Sequence, residues 1–80
     1  MKIHEEVLNI LKTVKPTKNL ENVKDIIEGG YLDSFELVML ITSLSEKFNI
    51  EVTIDEIVPE NFNSAEAITN MVELLLERKQ

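Results

Sequence analysis

The stretch Gly30-Tyr31-Leu32-Asp33-Ser34-Phe35-Glu36-Leu37-Val38, continued by Leu40, Ile41, Leu44 and Phe48, decides the fold. An aspartate followed three residues later by a glutamate is a capping-box pattern. The first carboxylate accepts a backbone N–H from the opening turn, and the second reaches back to the N–H of the cap. The pattern predicts a helix that opens with Ser34 at its first position and runs to about Phe48. Leu37, Leu40, Ile41, Leu44 and Phe48 then form one stripe at helical spacing, which is the core face. Phe35 and Met39 fall on the side turned away from that stripe.

Upstream, Ile3, Val7, Ile10, Leu11 and Val14 line one face of a first helix, which must stop before Pro16. From Lys15 to Leu32 the pattern loosens. Leu20, Val23, Ile26 and Ile27 sit among polar residues ahead of Gly29-Gly30, which predicts a long loop pinned to the core by those four side chains. Irregular connections of this length are more often functional than idle. Downstream, Ile50, Val52 and Ile54 alternate, but Asp55-Glu56-Ile57-Val58 ahead of Pro59 suits a short helical turn better than a strand. A last helix is expected from Asn63 or Ser64, with Glu66 placed to complete a box with Asn63. Its inner face is Ile68, Met71, Val72 and Leu75, and it frays in Arg78-Lys79-Gln80, where positive charge suits a helix C-terminus. The expectation is an all-α four-helix bundle with a short third helix and a long loop between helices 1 and 2, one domain over residues 1–80.

Composition narrows the function. With no cysteine, disulfides, thiolate zinc sites and a cysteine nucleophile are excluded. The hydrophobic fraction of 44% supplies a small core, and the charged fraction of 29% is that of a folded, soluble chain. The longest apolar run, Leu37 to Ile41, is five residues, so neither a membrane span nor a signal-peptide core is expected, and the chain should stay in the cytoplasm. The net charge of -7 is unevenly spread: residues 1–20 hold four lysines against two glutamates, whereas Asp25 to Glu77 holds twelve carboxylates and one base, Lys47. Nucleic acids and anionic membranes are poor partners for such a field. It favours basic protein surfaces and a monomeric state.

Catalysis by the chain alone finds little support. The single histidine, His4, has no cysteine to pair with, and Asp55-Glu56 lies on an exposed acidic turn. Asp25 to Glu36 has the twelve-residue length of a calcium loop, with Gly30 sixth and Glu36 twelfth, but Ile27 and Gly29 occupy the third and fifth positions and offer no side-chain oxygen. No metal site is expected. Gly29-Gly30 lacks the lysine and the strand of a phosphate loop and reads as turn chemistry. Ser34 is more informative, because a hydroxyl at a helix N-terminus lies among free N–H groups and suits a phosphate ester; ordinary capping is the plainer alternative. Beside it, Phe35 and Met39, rimmed by Glu36 and Glu46, form a small apolar docking patch unless the loop folds over them.

The run from Gly30 to Val38 with its Asp33-Ser34-Phe35 centre, the core spacing after it, and Phe48 fourteen residues past the serine resembles the acyl carrier protein family over nearly the whole chain. The resemblance implies that Ser34 is the attachment point of a 4′-phosphopantetheine arm. A separate magnesium-dependent phosphopantetheinyl transferase would deliver the arm from coenzyme A, and its thiol would carry acyl or aminoacyl groups as thioesters. It implies that Asp33 helps the transferase recognise the site, and that Phe35, Glu36, Met39, Glu46, Asp55 and Glu56 face partner proteins. Those partners are an acyl- or aminoacyl-loading enzyme and a downstream acyltransferase or synthase. Ile54, Ile57 and Val58 match the short helix bordering the cavity in which some carriers shelter their cargo. The outward positions Met39, Thr42 and Ser45 replace the carboxylates usual in fatty-acid-synthesis carriers, and the proline common after the second helix is missing. These departures favour a specialised lipid, polyketide, nonribosomal peptide or D-alanine transfer pathway over a housekeeping fatty-acid role. An unmodified helical protein–protein adaptor using the same patch is the reading from another class.

Overall fold

The computed structural model describes residues 2–79 and contains four helices in the order α1 (Ile3–Val14), α2 (Ser34–Phe48), α3 (Pro59–Phe62) and α4 (Ala65–Lys79), with a single 3-10 turn at Ile54–Glu56. No strand occurs among the described residues, and the all-α expectation holds. α1 packs on both α2 and α4, which also touch each other, and the short α3 packs on α4. Val7, Leu11 and Val14 of α1, Leu40, Leu44 and Phe48 of α2, Phe62 of α3 and Ala65, Ile68, Met71 and Val72 of α4 share one buried apolar cluster. Leu75, expected on the inner face of α4, is half-buried against it.

The helix ends follow their local chemistry. α1 closes with the Lys15 N–H on the Leu11 carbonyl at 2.9 Å, and Pro16 prevents a further turn. α2 opens on the predicted box, with Asp33 in extended backbone as N-cap. It ends at Asn49, whose positive φ of 54° is the left-handed conformation asparagine tolerates at a helix C-terminus. The long loop is anchored by Leu20 and Ile26, which are fully enclosed, with Val23 and Ile27 half-buried.

Three expectations shift. The helical turn before Pro59 forms only at Ile54–Glu56, and α3 begins at Pro59 itself: proline's fixed φ suits the first helical position, where its missing N–H is no loss. α4 is capped by Ser64, whose Oγ accepts the Ala67 N–H at 3.0 Å, so the box between Asn63 and Glu66 does not form. Asn63 instead ends α3 and turns its amide to the long loop. Of the expected frayed end, Gln80 lies outside the described residues.

Candidate functional site

The site is built at the corner where the loop enters α2. Asp33 Oδ1 accepts the Glu36 N–H at 2.8 Å, and the Asp33 N–H donates to Glu36 Oε1 at 3.0 Å. The first intrahelical bond runs from the Leu37 N–H to the Asp33 carbonyl at 2.9 Å. Of the four N–H groups in the opening turn, those of Ser34 and Phe35 are thus left to solvent or a ligand. Ser34 is exposed, so its hydroxyl and those two donors lie together at one accessible helix start.

Glu36, expected to face outward, is paired within the chain. Its half-buried carboxylate receives Lys15 Nζ at 3.1 and 3.3 Å, tying the end of α1 to the start of α2. Glu56 is also turned inward. Its Oε1 accepts the Thr53 hydroxyl at 2.6 Å and the Thr53 N–H at 2.8 Å, while Arg78 lies 3.9 Å from Oε2. The Thr53 hydroxyl and then its N–H, aided by Arg78 and opposed by desolvation, hold this carboxyl below its ordinary value. Met39 departs from expectation too: it is half-buried and packs against the core. Phe35 remains outward at 73% exposure, and Glu46 and Asp55 are exposed as expected.

In place of Met39, the outward apolar residue one turn along is Val38, exposed to 59%. Ile54, expected near the cavity, is also out in solvent, exposed to 83%. Ile57 and Val58 do border a recess, of about 110 Å³, together with Ile27, Leu37, Pro59 and Phe62. Leu37, which lines this recess, stands one turn beyond Ser34 on α2 and so links the recess to the serine's helix turn. His4 is exposed on α1, and no group of three or more potential metal ligands gathers among the described residues.

The D-alanyl carrier protein of Streptococcus suis (strain 05ZYH33) is 35% identical over 77 residues, covering 94% of this chain and 98% of that protein. The chain belongs to the acyl carrier family of carrier proteins. The D-alanyl carrier proteins of Enterococcus faecalis, at 34% identity, and Leuconostoc citreum, at 32%, are each matched over 99% of their length. No protein-family model matches the chain. The carrier thus has an exposed serine at a helix start, a capping box locked by a lysine, and a small apolar recess alongside. Sequence reasoning missed Lys15 and gave Asn63 the cap of the wrong segment, because both act through contacts with distant parts of the chain. Val38 was legible as a residue of the right type on α2, but its outward direction depends on how α2 is rolled against α1.

Proposed function

We propose that this carrier bears a 4′-phosphopantetheine arm on Ser34 Oγ and uses it to present D-alanine, as a thioester, to a downstream acyltransferase. The observation that carries the reading is the exposed Ser34 at the first position of α2, in a chain whose relatives are named D-alanyl carrier proteins. The residues at the corner fit the group. The free N–H groups of Ser34 and Phe35 and the helix dipole suit a phosphodiester, and Asp33, exposed beside them, suits recognition by a magnesium-dependent transferase. When bound, the arm supplies a thiol that this cysteine-free chain otherwise lacks.

The chain's own residues orient the site and receive partners. The box of Asp33 and Glu36, with Lys15 behind it, fixes the direction in which Ser34 points. Phe35 and Val38 offer apolar contact next to the serine, and the exposed carboxylates Glu46 and Asp55 steer basic partner surfaces toward it. The recess of about 110 Å³ falls well short of the roughly 300 Å³ from which ordinary ligand pockets begin, so it suits a small cargo better than a long acyl chain. A carboxylate does not condense with a thiol unaided, so loading requires a separate enzyme that first activates D-alanine. Among the described residues no helix is long and apolar enough to cross a membrane. Attachment of the arm needs coenzyme A, which places the proposed carrier in the cytoplasm.

Intact mass is the test. Incubation with coenzyme A, magnesium and a broad-specificity phosphopantetheinyl transferase is expected to add one phosphopantetheinyl group to the wild type and none to Ser34→Ala. The modified carrier should then gain one alanine, in preference to a fatty acyl group, from an ATP-dependent D-alanine-activating enzyme. A folded, arm-free wild type that no transferase modifies would refute the attachment. A carrier that is modified but takes only fatty acyl groups would refute the cargo.

A further inference from the structure

Asn63 uses every hydrogen-bonding group it has. Its own N–H closes α3 on the Pro59 carbonyl at 2.9 Å, and its carbonyl accepts the Ile26 N–H at 2.9 Å. The side-chain Oδ1 accepts the N–H groups of Ile27 at 3.0 Å and Glu28 at 3.1 Å, while Nδ2 donates to Glu28 Oε1 at 3.0 Å.

The three captured N–H groups are consecutive and open a tight coil in the loop. Within that coil the Gly29 N–H bonds to Asp25, the Gly30 N–H to Ile27 and the Tyr31 N–H to Ile26. A coil of this kind leaves its leading N–H groups without local acceptors, as a helix start does. Asn63 serves as their cap from a position 36 residues away from Ile27. Glycine is needed inside the coil: a Cβ on Gly29 would stand 2.6 Å from the Asp25 carbonyl oxygen, and Gly30 has a φ of +74°.

Both ends of this arrangement reach the serine. Beyond the coil, Leu32 is buried and the chain passes directly into Asp33 and Ser34. Ile27, whose N–H Asn63 holds, lines the recess together with Leu37, and so does Phe62, the neighbour of Asn63 in sequence. We propose that Asn63 is a positioning residue that sets the approach to Ser34, fixing the loop that delivers Asp33 and holding Ile27 against the recess. The proposal rests on Ser34 being the site of arm attachment.

If the clamp opens, only the fraction of carriers with the loop in place is competent, and the apparent affinity for the transferase falls by that fraction. Asn63→Ala is therefore expected to raise the KM of the carrier in phosphopantetheine transfer by roughly tenfold with kcat little changed. Amide exchange at Ile27 and Glu28 should accelerate by at least about tenfold, while amides inside α2 keep their protection. Asn63→Asp retains both acceptor bonds and so folds, but it sets a second carboxylate against Glu28 and should show a KM defect in the same direction, smaller than that of Asn63→Ala. Adding Glu28→Gln to Asn63→Asp restores a donor facing an acceptor with the roles exchanged, and should return KM to near the wild-type value.

A KM for Asn63→Ala within about twofold of wild type would overturn the proposal, and so would a double variant that is no better than Asn63→Asp alone. Failure of the wild type to be modified would instead refute the reading of Ser34, and the exchange data would still report on the clamp.

Discussion

Replacing Asp33 separates its two assigned roles. In Asp33→Ala the acceptor of the Glu36 N–H, 2.8 Å away, is lost, and loss of such a cap costs about 1 kcal/mol. The negative charge at the N-terminus of α2 is lost as well, worth about 0.3–1 kcal/mol in such positions. Glu36 keeps the backbone N–H of residue 33 and Lys15, so no buried charge is orphaned and nothing further is added. The total is about 1–2 kcal/mol, which in a domain of this size lowers Tm by between about 4 and 16 °C. Asp33→Asn keeps a side-chain oxygen for the Glu36 N–H and loses only the charge. Because Glu36 is a second carboxylate in the same turn, relief of their repulsion brings that loss to the low end, about 0.3 kcal/mol. Thermal unfolding followed by circular dichroism reads the stability, and intact mass against time reads arm attachment. The asparagine variant should unfold close to wild type yet be modified more slowly, because only the carboxylate serves recognition. Equal destabilisation by alanine and asparagine would refute the hydrogen-bonding account of the cap. An asparagine variant modified as fast as wild type would refute the recognition role.

Two truncations on α2 should behave in opposite ways: Leu40→Ala, at a fully buried position, is expected to cost about 2–5 kcal/mol in denaturant unfolding, whereas Phe35→Ala should stay within about 0.5 kcal/mol of wild type and weaken partner binding instead. Glu56 should leave a pH signature. Its pKa is lowered in the folded state, chiefly by the Thr53 hydroxyl, so its contribution is present above the ordinary carboxylate range and is lost as pH falls through the folded value. Tm measured against pH should therefore show wild type exceeding Glu56→Gln near neutrality, with the gap closing in acid; a gap independent of pH would remove that assignment.

What could be read from the sequence was local. The box of Asp33 and Glu36 spans three residues, and its geometry formed as its spacing required. The stop of α1 before Pro16 and the anchoring of the loop by Leu20 and Ile26 follow from single residues of unambiguous type. The misreadings have a common origin in partners distant along the chain. Glu36 looks like a surface acid until Lys15, 21 residues earlier, is brought beside it. Glu56 looks like an exposed acid until Arg78 of α4 approaches. Asn63 has the type and place of a helix cap, and only the tertiary fold shows that the N–H groups it caps belong to the coil in the long loop. Met39 and Val38 exchange roles because the buried side of α2 is set by the neighbouring helices, not by α2's own apolar stripe alone.

The connection between α1 and α2 is mechanically two segments joined at Ile26. On the near side, Pro16 to Asn19 and Glu21 to Asp25 run mostly over the surface, with Leu20 as a single deep anchor. On the far side, Ile26 to Glu28 are hydrogen-bonded to Asn63, Gly29 to Tyr31 are bonded back within the coil, and Asp33 is bonded to the start of α2. Extra residues placed between Pro16 and Asn19 would only lengthen a solvent loop, at about 0.6 kcal/mol for each doubling. One residue added after Ile26 would rotate everything that follows it relative to its partners. A fluorophore, an affinity tag or a tether to a second enzyme therefore belongs at Pro16–Asn19, on the stretch of this carrier that can change length without the serine noticing.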